Sequence, residues 1–372
     1  MSKLEKYILQ IRGVSYKPID SSDIKKDGYI PLLRANNIKD GKINYDNLIY
    51  VKEEKVKENQ FLKKGDILIC TSNGSKELVG KAGLIKEDIR ATFGAFCRVI
   101  RLKKDINYQY LIHFFHSNYY REIIKKKSNG ANINNLKNED IDSLDINIIN
   151  NEEQLKIANE LDRIVDIINI KENQTRKLDE LIESKFVKMF ESENYPKKCL
   201  NEVCEQLFAG GDVKKEHTSK EKTDKFKYPI YTNGEKLDGL YGYTDIARVY
   251  KEAVTISGRG TIGFSCIRKE PFYPAVRLIV VVPDKNIINT TYLRQFIKNK
   301  NYGGQGAGIP QLTVPMIKNE QIPIPPIELQ EKFADFVKQI DKQKEICIKI
   351  IAKLNELKES KMQEYFGGAV NE

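Results

Sequence analysis

Metal-binding and redox spacings are missing from this 372-residue sequence. Its six cysteines (Cys70, Cys97, Cys199, Cys204, Cys266 and Cys347) include no C-x-x-C pair, and its three histidines, His113, His116 and His217, do not cluster with them. A zinc site needs ligands at short, repeated spacings, so buried free thiols and no metal are expected. Long apolar runs are missing as well. Stretches such as Leu278 to Val282 fall far below the roughly 20 residues of a membrane-spanning helix, and Met1-Ser2-Lys3-Leu4-Glu5-Lys6 leads into no signal-peptide core. The expectation is a cytoplasmic chain with no membrane partner.

Catalytic signatures are equally scarce. Gly258-Arg259-Gly260-Thr261-Ile262-Gly263 fits G-x-G-x-x-G, but a dinucleotide site needs a helix to begin at the glycines, and Phe264-Ser265-Cys266-Ile267 reads as a strand. A β-turn exposing Ser257, Arg259 and Thr261 is expected there. Gly74 to Lys81 has five residues between its glycines where a phosphate-binding loop has four, and Ala82 stands where a metal-binding Ser or Thr belongs. The E-x-K elements Glu183-Ser184-Lys185 and Glu359-Ser360-Lys361 lack a paired upstream Asp on a strand, and read as solvated helix faces. No Asn-Pro-Pro-Tyr or Asp-Pro-Pro-Tyr element of an adenine methyltransferase occurs. Nothing in the chain points to chemistry of its own.

What is present begins with charge and repetition. Hydrophobic residues make up 40% of the chain and the net charge is +10, so a folded protein of two or three domains is expected, with a surface suited to a polyanion. A Lys-rich solvated surface explains the charge equally well. The segment Gly130–Phe190 returns as Gly306–Phe366 at a constant offset of 176 (306 − 130 and 366 − 190). Glu152-x-Gln154 matches Glu328-x-Gln330, and Leu178-x-Glu180-Leu181-x-Glu183-Ser184-Lys185 matches Leu354-x-Glu356-Leu357-x-Glu359-Ser360-Lys361. One unit is used twice.

Each copy carries apolar residues at three- and four-residue steps, as an amphipathic helix requires. Leu161, Val165, Ile168, Leu178 and Leu181 mark the stripe in the first copy, and Val337, Ile340, Ile351, Leu354 and Leu357 in the second. Asn150-x-x-Glu153 has the form of a capping box for the first helix. Stripes this long need cover, either from each other as a coiled coil or from separate globular cores. Ahead of each helix, short β-like runs such as Asp66–Cys70, Phe96–Ile100, Ala253–Ile256 and Leu278–Val282 alternate with Gly, Asn and Lys turns. These regions correspond only with gaps: Pro31 aligns with Pro229 at an offset of 198 (229 − 31), and Gly83 with Gly263 at 180 (263 − 83).

Several of these elements, in duplicate and in order, resemble the DNA-specificity subunit of type I restriction-modification systems. Tyr29-Ile30-Pro31-Leu32-Leu33-Arg34 is similar to the family's early strand, and Leu62-Lys63-Lys64-Gly65-Asp66-Ile67-Leu68-Ile69 to its l-x-x-G-D-i-l-i element. Ser257–Gly263 resembles the turn that follows. Gly306-Ala307-Gly308-Ile309-Pro310-Gln311-Leu312, Ile322–Pro326 and Glu328-Leu329-Gln330 resemble the junction into the helix. The copies differ locally, with Asn147 and Asn150 where the second has Pro323 and Pro326, and Lys251-Glu252-Ala253 in place of Gly-Asp.

The resemblance implies an α+β fold: two globular mixed α/β target-recognition domains in pseudo-two-fold tandem, separated by two long antiparallel coiled-coil helices. The expected boundaries are 1–151 and 193–327 for the recognition domains, and 152–192 and 328–368 for the spacer helices. It implies double-stranded DNA as ligand, with each domain reading one half of an asymmetric bipartite target. Two methyltransferase subunits bringing S-adenosylmethionine are the implied partners, with an ATP- and Mg-dependent restriction subunit as a further addition, and no cofactor on this chain.

Base edges are read by donors and acceptors on loops. The candidates are Arg34, Asn36, Asn37, Ser72, Asn73 and Lys76 in the first domain, and Thr232, Asn233, Lys236, Ser257, Arg259, Thr261 and Gln305 in the second. A phosphate contact or an ordinary surface place is the alternative for each, and for Lys125, Lys126 and Lys127. Three rival functions stay open: the specificity subunit of a methylation-only system, an autonomous nuclease or modifying enzyme, and a coiled-coil adaptor without DNA contact.

Overall fold

The computed structural model describes residues 1–39, 41–103, 106–128, 135–191, 193–300, 302 and 311–367. The repeat becomes two helices of 40 residues each, Asn151–Phe190 and Ile327–Phe366, whose bounds also differ by 176 (327 − 151 and 366 − 190). At about 1.5 Å per residue each is about 60 Å long. Asn150 Oδ1 accepts from the Glu153 amide at 2.9 Å and so caps the first helix.

Contacts divide the chain into two compact units, Met1–Lys171 with Lys349–Glu372, and Glu172–Ile348. Each unit therefore holds one globular region and part of both long helices, so this division by contacts falls within the helices. Burial is the reason. In the first unit Ala158 and Leu161 of the first helix, and Met362 and Phe366 of the second, enter the core formed by Ile67, Ile100, Tyr110, Phe114 and Tyr120. The Phe366 ring lies 5.0 Å from that of Tyr110. In the second unit Phe186 and Phe190 meet Phe333 and Tyr292 with ring centroids 4.8–5.5 Å apart.

The helices run antiparallel where they meet in each unit. Tyr365 donates to Glu160 at 2.7 Å and Leu357 borders Ile164 and Ile167 in the first unit. Lys344 donates to Asp179 at 2.6 Å while Phe333 packs on Phe186 in the second. Rising numbers on one helix thus face falling numbers on the other. Helix-to-helix packing and core packing occur together, so the two covers weighed from sequence are both in use.

Leu161, Ile168, Leu178, Val337 and Ile340 are buried, and Val165, Ile351 and Leu354 half-buried. Leu181 and Leu357 depart from expectation, being 47% and 45% exposed. The inward stripe of the first helix follows the four-residue steps Leu178, Ile182, Phe186 and Phe190, all buried. Leu181 is turned about 100° from Ile182 and leaves the stripe. Leu357 holds the equivalent place 176 residues later and leaves it the same way.

The globular parts are duplicates as well. In the first unit the strands Ile8–Arg12, Cys97–Leu102, Ile67–Cys70 and Ala82–Leu84 lie side by side in that order; in the second, Cys204–Ala209, Ile279–Pro283, Ala253–Ile256 and Ser265–Arg268 repeat it. Ile67–Cys70, Ala253–Ile256 and Ile279–Pro283 are buried at every residue, which is why they read as unbroken apolar runs. A second sheet in each unit pairs the early strand, Tyr29–Leu33 or Tyr228–Tyr231, in parallel with a short one, Thr92–Phe93 or Tyr273–Pro274. The crossing between the sheets admits no side chain at Gly13 or Gly210, where a Cβ would lie 2.2 Å from Gly94 O or 2.3 Å from Pro274 O.

A hydrogen-bonded clasp joins each core to its long helix. Asn107 caps the helix Tyr108–His116 and donates its own amide to Gln154 Oε1 at 2.8 Å, while Gln154 Nε2 donates to Ile149 O. Asn289 caps Thr290–Asn299 and donates to Gln330 Oε1 at 2.8 Å, while Gln330 Nε2 donates to Pro325 O. Both glutamines are fully buried. Tyr110 and Tyr292 complete the pattern, donating to Asn147 O and Pro323 O.

Candidate nucleic-acid interface

In the first unit, three loops converge at the ends of strands: the one after Tyr29–Leu33, the one after Ile67–Cys70, and the turn before Cys97–Leu102. They border a cavity of about 810 Å³ lined by Arg34, Asn36, Ser72 and Asn73, together with Tyr16 and Phe96. Four of the residues singled out from sequence are thus brought together. Among the described residues the Arg34 Nε is buried without a hydrogen-bond partner, and one terminal nitrogen donates to Asn47 O at 3.4 Å. Lys76 is exposed in the short turn Lys76–Leu78 and does not line the cavity.

Asn37 does not line the cavity. It is only 1% exposed; its Oδ1 accepts from the Arg34 amide, and its Nδ2 donates to Asn44 O and Asp46 O. It shapes the loop from inside. Tyr16 and Phe96 also border the cavity, and nothing in their sequence context marks them; Phe96 is an apolar ring, 72% exposed.

In the second unit the glycine-rich stretch forms a loop between the strands Ala253–Ile256 and Ser265–Arg268, with Gly260 and Gly263 at positive φ and no helix following. Ser257 is 1% exposed and its hydroxyl accepts from the Gly234 amide, so it too is internal. Asn233 bridges two loops, accepting from the Gly258 amide at 2.7 Å and donating to Val276 O at 2.6 Å. Thr232 holds Gly239 O at 3.5 Å. Lys236 and Thr261 are exposed, and Gln305 lies outside the described residues.

Arg259 is exposed, and its Nε and a terminal nitrogen donate to Gln311 Oε1 at 3.2 and 2.8 Å. Arg277 donates to the same oxygen at 3.2 Å. Two guanidiniums therefore share one uncharged acceptor, and among the described residues neither makes an ion pair. Arg277 and Gln311 were missed in the sequence. Arg277 stands immediately before an apolar strand, and Gln311 lies in the repeat, where it reads as part of the frame. The available hint was the repeat itself, which places Gln311 opposite Asn135 (311 − 135 = 176).

The remaining motifs have structural occupations. Lys361 pairs with Glu160 and Glu364, Lys185 lies over the Phe336 ring, and Glu359 accepts from Asn118. The Asp66 of the Gly-Asp element makes a two-pronged ion pair with Arg101 at 2.7–2.8 Å. Cys70, Cys97 and Cys347 are buried free thiols, whereas Cys199, Cys204 and Cys266 are half-buried. Burial pushes the Cys70 thiol up to about 11.

The arrangement is a pair of loop clusters rich in donors, each carried at the ends of sheet strands. A family profile described as Type I restriction modification DNA specificity domain matches residues 8–180 and again 192–356. The type I restriction enzyme StySPI specificity subunit of Salmonella potsdam is 41% identical over 155 residues, 42% of this chain and 34% of that protein. The EcoKI specificity subunit of Escherichia coli K12 is 43% identical over 155 residues, 42% of this chain and 33% of that protein. These matches thus span about a third of those relatives' length. The crystal structure of a type I restriction-modification S subunit from M. genitalium covers 98% of this chain and 95% of its own, with a TM-score of 0.58 at 17% identity, and so shares the fold. With the profile matched twice and nearly end to end, the chain belongs to the type I restriction-modification DNA specificity family.

Proposed function

We propose that this chain is the DNA-reading, non-catalytic subunit of a cytoplasmic type I restriction-modification complex, and that each unit reads one half of an asymmetric bipartite target. The observation that carries this is one fold built twice with unlike loops: Arg34, Asn36, Ser72, Asn73 and Phe96 in the first unit, Arg259 and Arg277 in the second. Duplicated frames suit a duplex whose backbone repeats, and unlike loops suit two half-sites of different sequence. A net charge of +10 supplies the salt-sensitive, sequence-independent part of the affinity.

Catalysis then belongs to partners. Two methyltransferase subunits carrying S-adenosylmethionine would act on an adenine flipped out of each half-site, since its amine is out of reach in the stack. An ATP- and Mg-dependent restriction subunit would join that complex, and a methylation-only system would lack it. The test is to purify the chain alone and with the methyltransferase subunit of the same system. Methylation of a bipartite duplex only by the combination, with binding that weakens as salt rises, is the expected result. Methylation or cleavage by the lone chain would overturn the non-catalytic role, and absence of DNA binding by the combination would favour a structural adaptor.

A further inference from the structure

We propose that one turn in each unit discriminates the bases of its half-site: Ala95-Phe96 in the first and Val276-Arg277 in the second, with Arg277 reading a guanine and Gln311 positioning it. This rests on the reading of the chain as a DNA-specificity subunit.

The two turns occupy equivalent places in the fold, although only the second has its central residues at positive φ. Each is closed across four residues, Cys97 N donating to Gly94 O at 2.9 Å and Leu278 N to Ala275 O at 3.1 Å. Each follows a parallel bridge, Val14 with Gly94 and Gly211 with Ala275. Each leads into the same strand of the same sheet order. Yet one exposes an aromatic ring and the other a guanidinium. Phosphates are identical in both halves of any duplex, so a contact to them asks for the same chemistry in both copies. Bases differ between halves. A matched position that carries unlike chemistry is therefore where sequence is read, and the Phe96 side chain has no donor for a phosphate.

The second turn is also held firmly. Val276 and Arg277 have φ of 52° and 61°, in the left-handed region that a β-branched residue rarely adopts. Val276 N donates to Gly211 O, Arg277 N to Gly210 O, and Val276 O accepts from Asn233. The Arg277 side chain is fixed in turn by Gln311, whose single oxygen also receives Arg259. An amide oxygen leaves both positive charges uncancelled and most of their donors unused. Guanine offers two acceptors, O6 and N7, on its major-groove edge, at the spacing of a guanidinium fork. Phe96 meets no such edge and suits the methyl group of a thymine in the other half.

The experiment uses the full chain in complex with its methyltransferase partner, on the target duplex, on every single-base-pair replacement in both halves, and on an unrelated duplex. Arg277→Lys keeps the charge and loses the fork. It is expected to lower affinity for the target on the order of ten- to a hundredfold and to abolish preference at one G·C pair, while binding to unrelated DNA and its salt slope stay as in the wild type. Gln311→Ala should weaken discrimination at that same pair, and beyond it only where Arg259 contacts the same half, because Gln311 holds both guanidiniums; the first half-site should keep its preferences, which a general loss of folding would not do. Phe96→Ala should relax one A·T pair in the opposite half. Preferences left intact in Arg277→Lys would overturn the proposal, as would Arg277→Ala losing affinity equally on target and unrelated DNA with a salt slope lower by about one. A wild-type complex that prefers no bipartite site would instead defeat the reading on which the proposal rests.

Discussion

Two side chains of the same type, Asn36 and Asn37, have opposite fates one residue apart. Asn36 faces the cavity, whereas Asn37 is enclosed by Arg34, Asn44 and Asp46. Residue type tells what a side chain is able to bind; only the turn tells whether it faces in or out. His116 gives a residue-scale prediction of another kind. Burial drives its pKa down to about 4, with His113 and Lys358 pressing the same way and the Ala82 carbonyl opposing them. The imidazole is neutral in the folded chain and protonates more readily in the unfolded one. Stability is therefore full above about pH 6.5 and falls as pH drops toward about 4, by at most about 1.4 kcal/mol per pH unit from this group. His116→Gln should flatten that part of the profile. Urea unfolding at pH 7.5 and 5.0 measures it, with the His113–Asp162 pair common to both proteins; equal slopes would contradict the assignment.

At the scale of elements, the long helices were legible because their stripes are long and periodic, and Asn150 marks a start by a rule that needs only local chemistry. Leu181 and Leu357 were not, since three- and four-residue steps both fit a helix and only the packing partner chooses between them. The clasps at Gln154 and Gln330 were visible in sequence as a repeated glutamine, but their task was not, because the amides they accept from lie 47 and 41 residues earlier, respectively. Replacing either glutamine with leucine leaves buried backbone groups unpaired. Gln154→Leu and Gln330→Leu should each cost about 1–3 kcal/mol in urea unfolding. Because the two clasps lie in different units, the double variant should show the sum.

The whole molecule was legible as a duplication, since an ungapped offset of 176 in sequence is also the offset between helix bounds in the structure. Its division into units was not, since sequence separates helix from globule while burial joins them. The proposed reading surfaces were the least legible part: loops of unequal length break the register, and Phe96 and Arg277 are recognised as counterparts only once the strands around them are matched by topology. Under the proposed function, these two unlike surfaces give a complex one asymmetric, split target. Sequencing of methylated adenines across the genome, with the gene intact and deleted, tests it most directly. One bipartite motif, with unlike halves and an unread gap, is expected to lose its methylation when the gene is removed and regain it when the gene is restored. An unchanged methylation pattern, or loss of a single continuous motif, would contradict it.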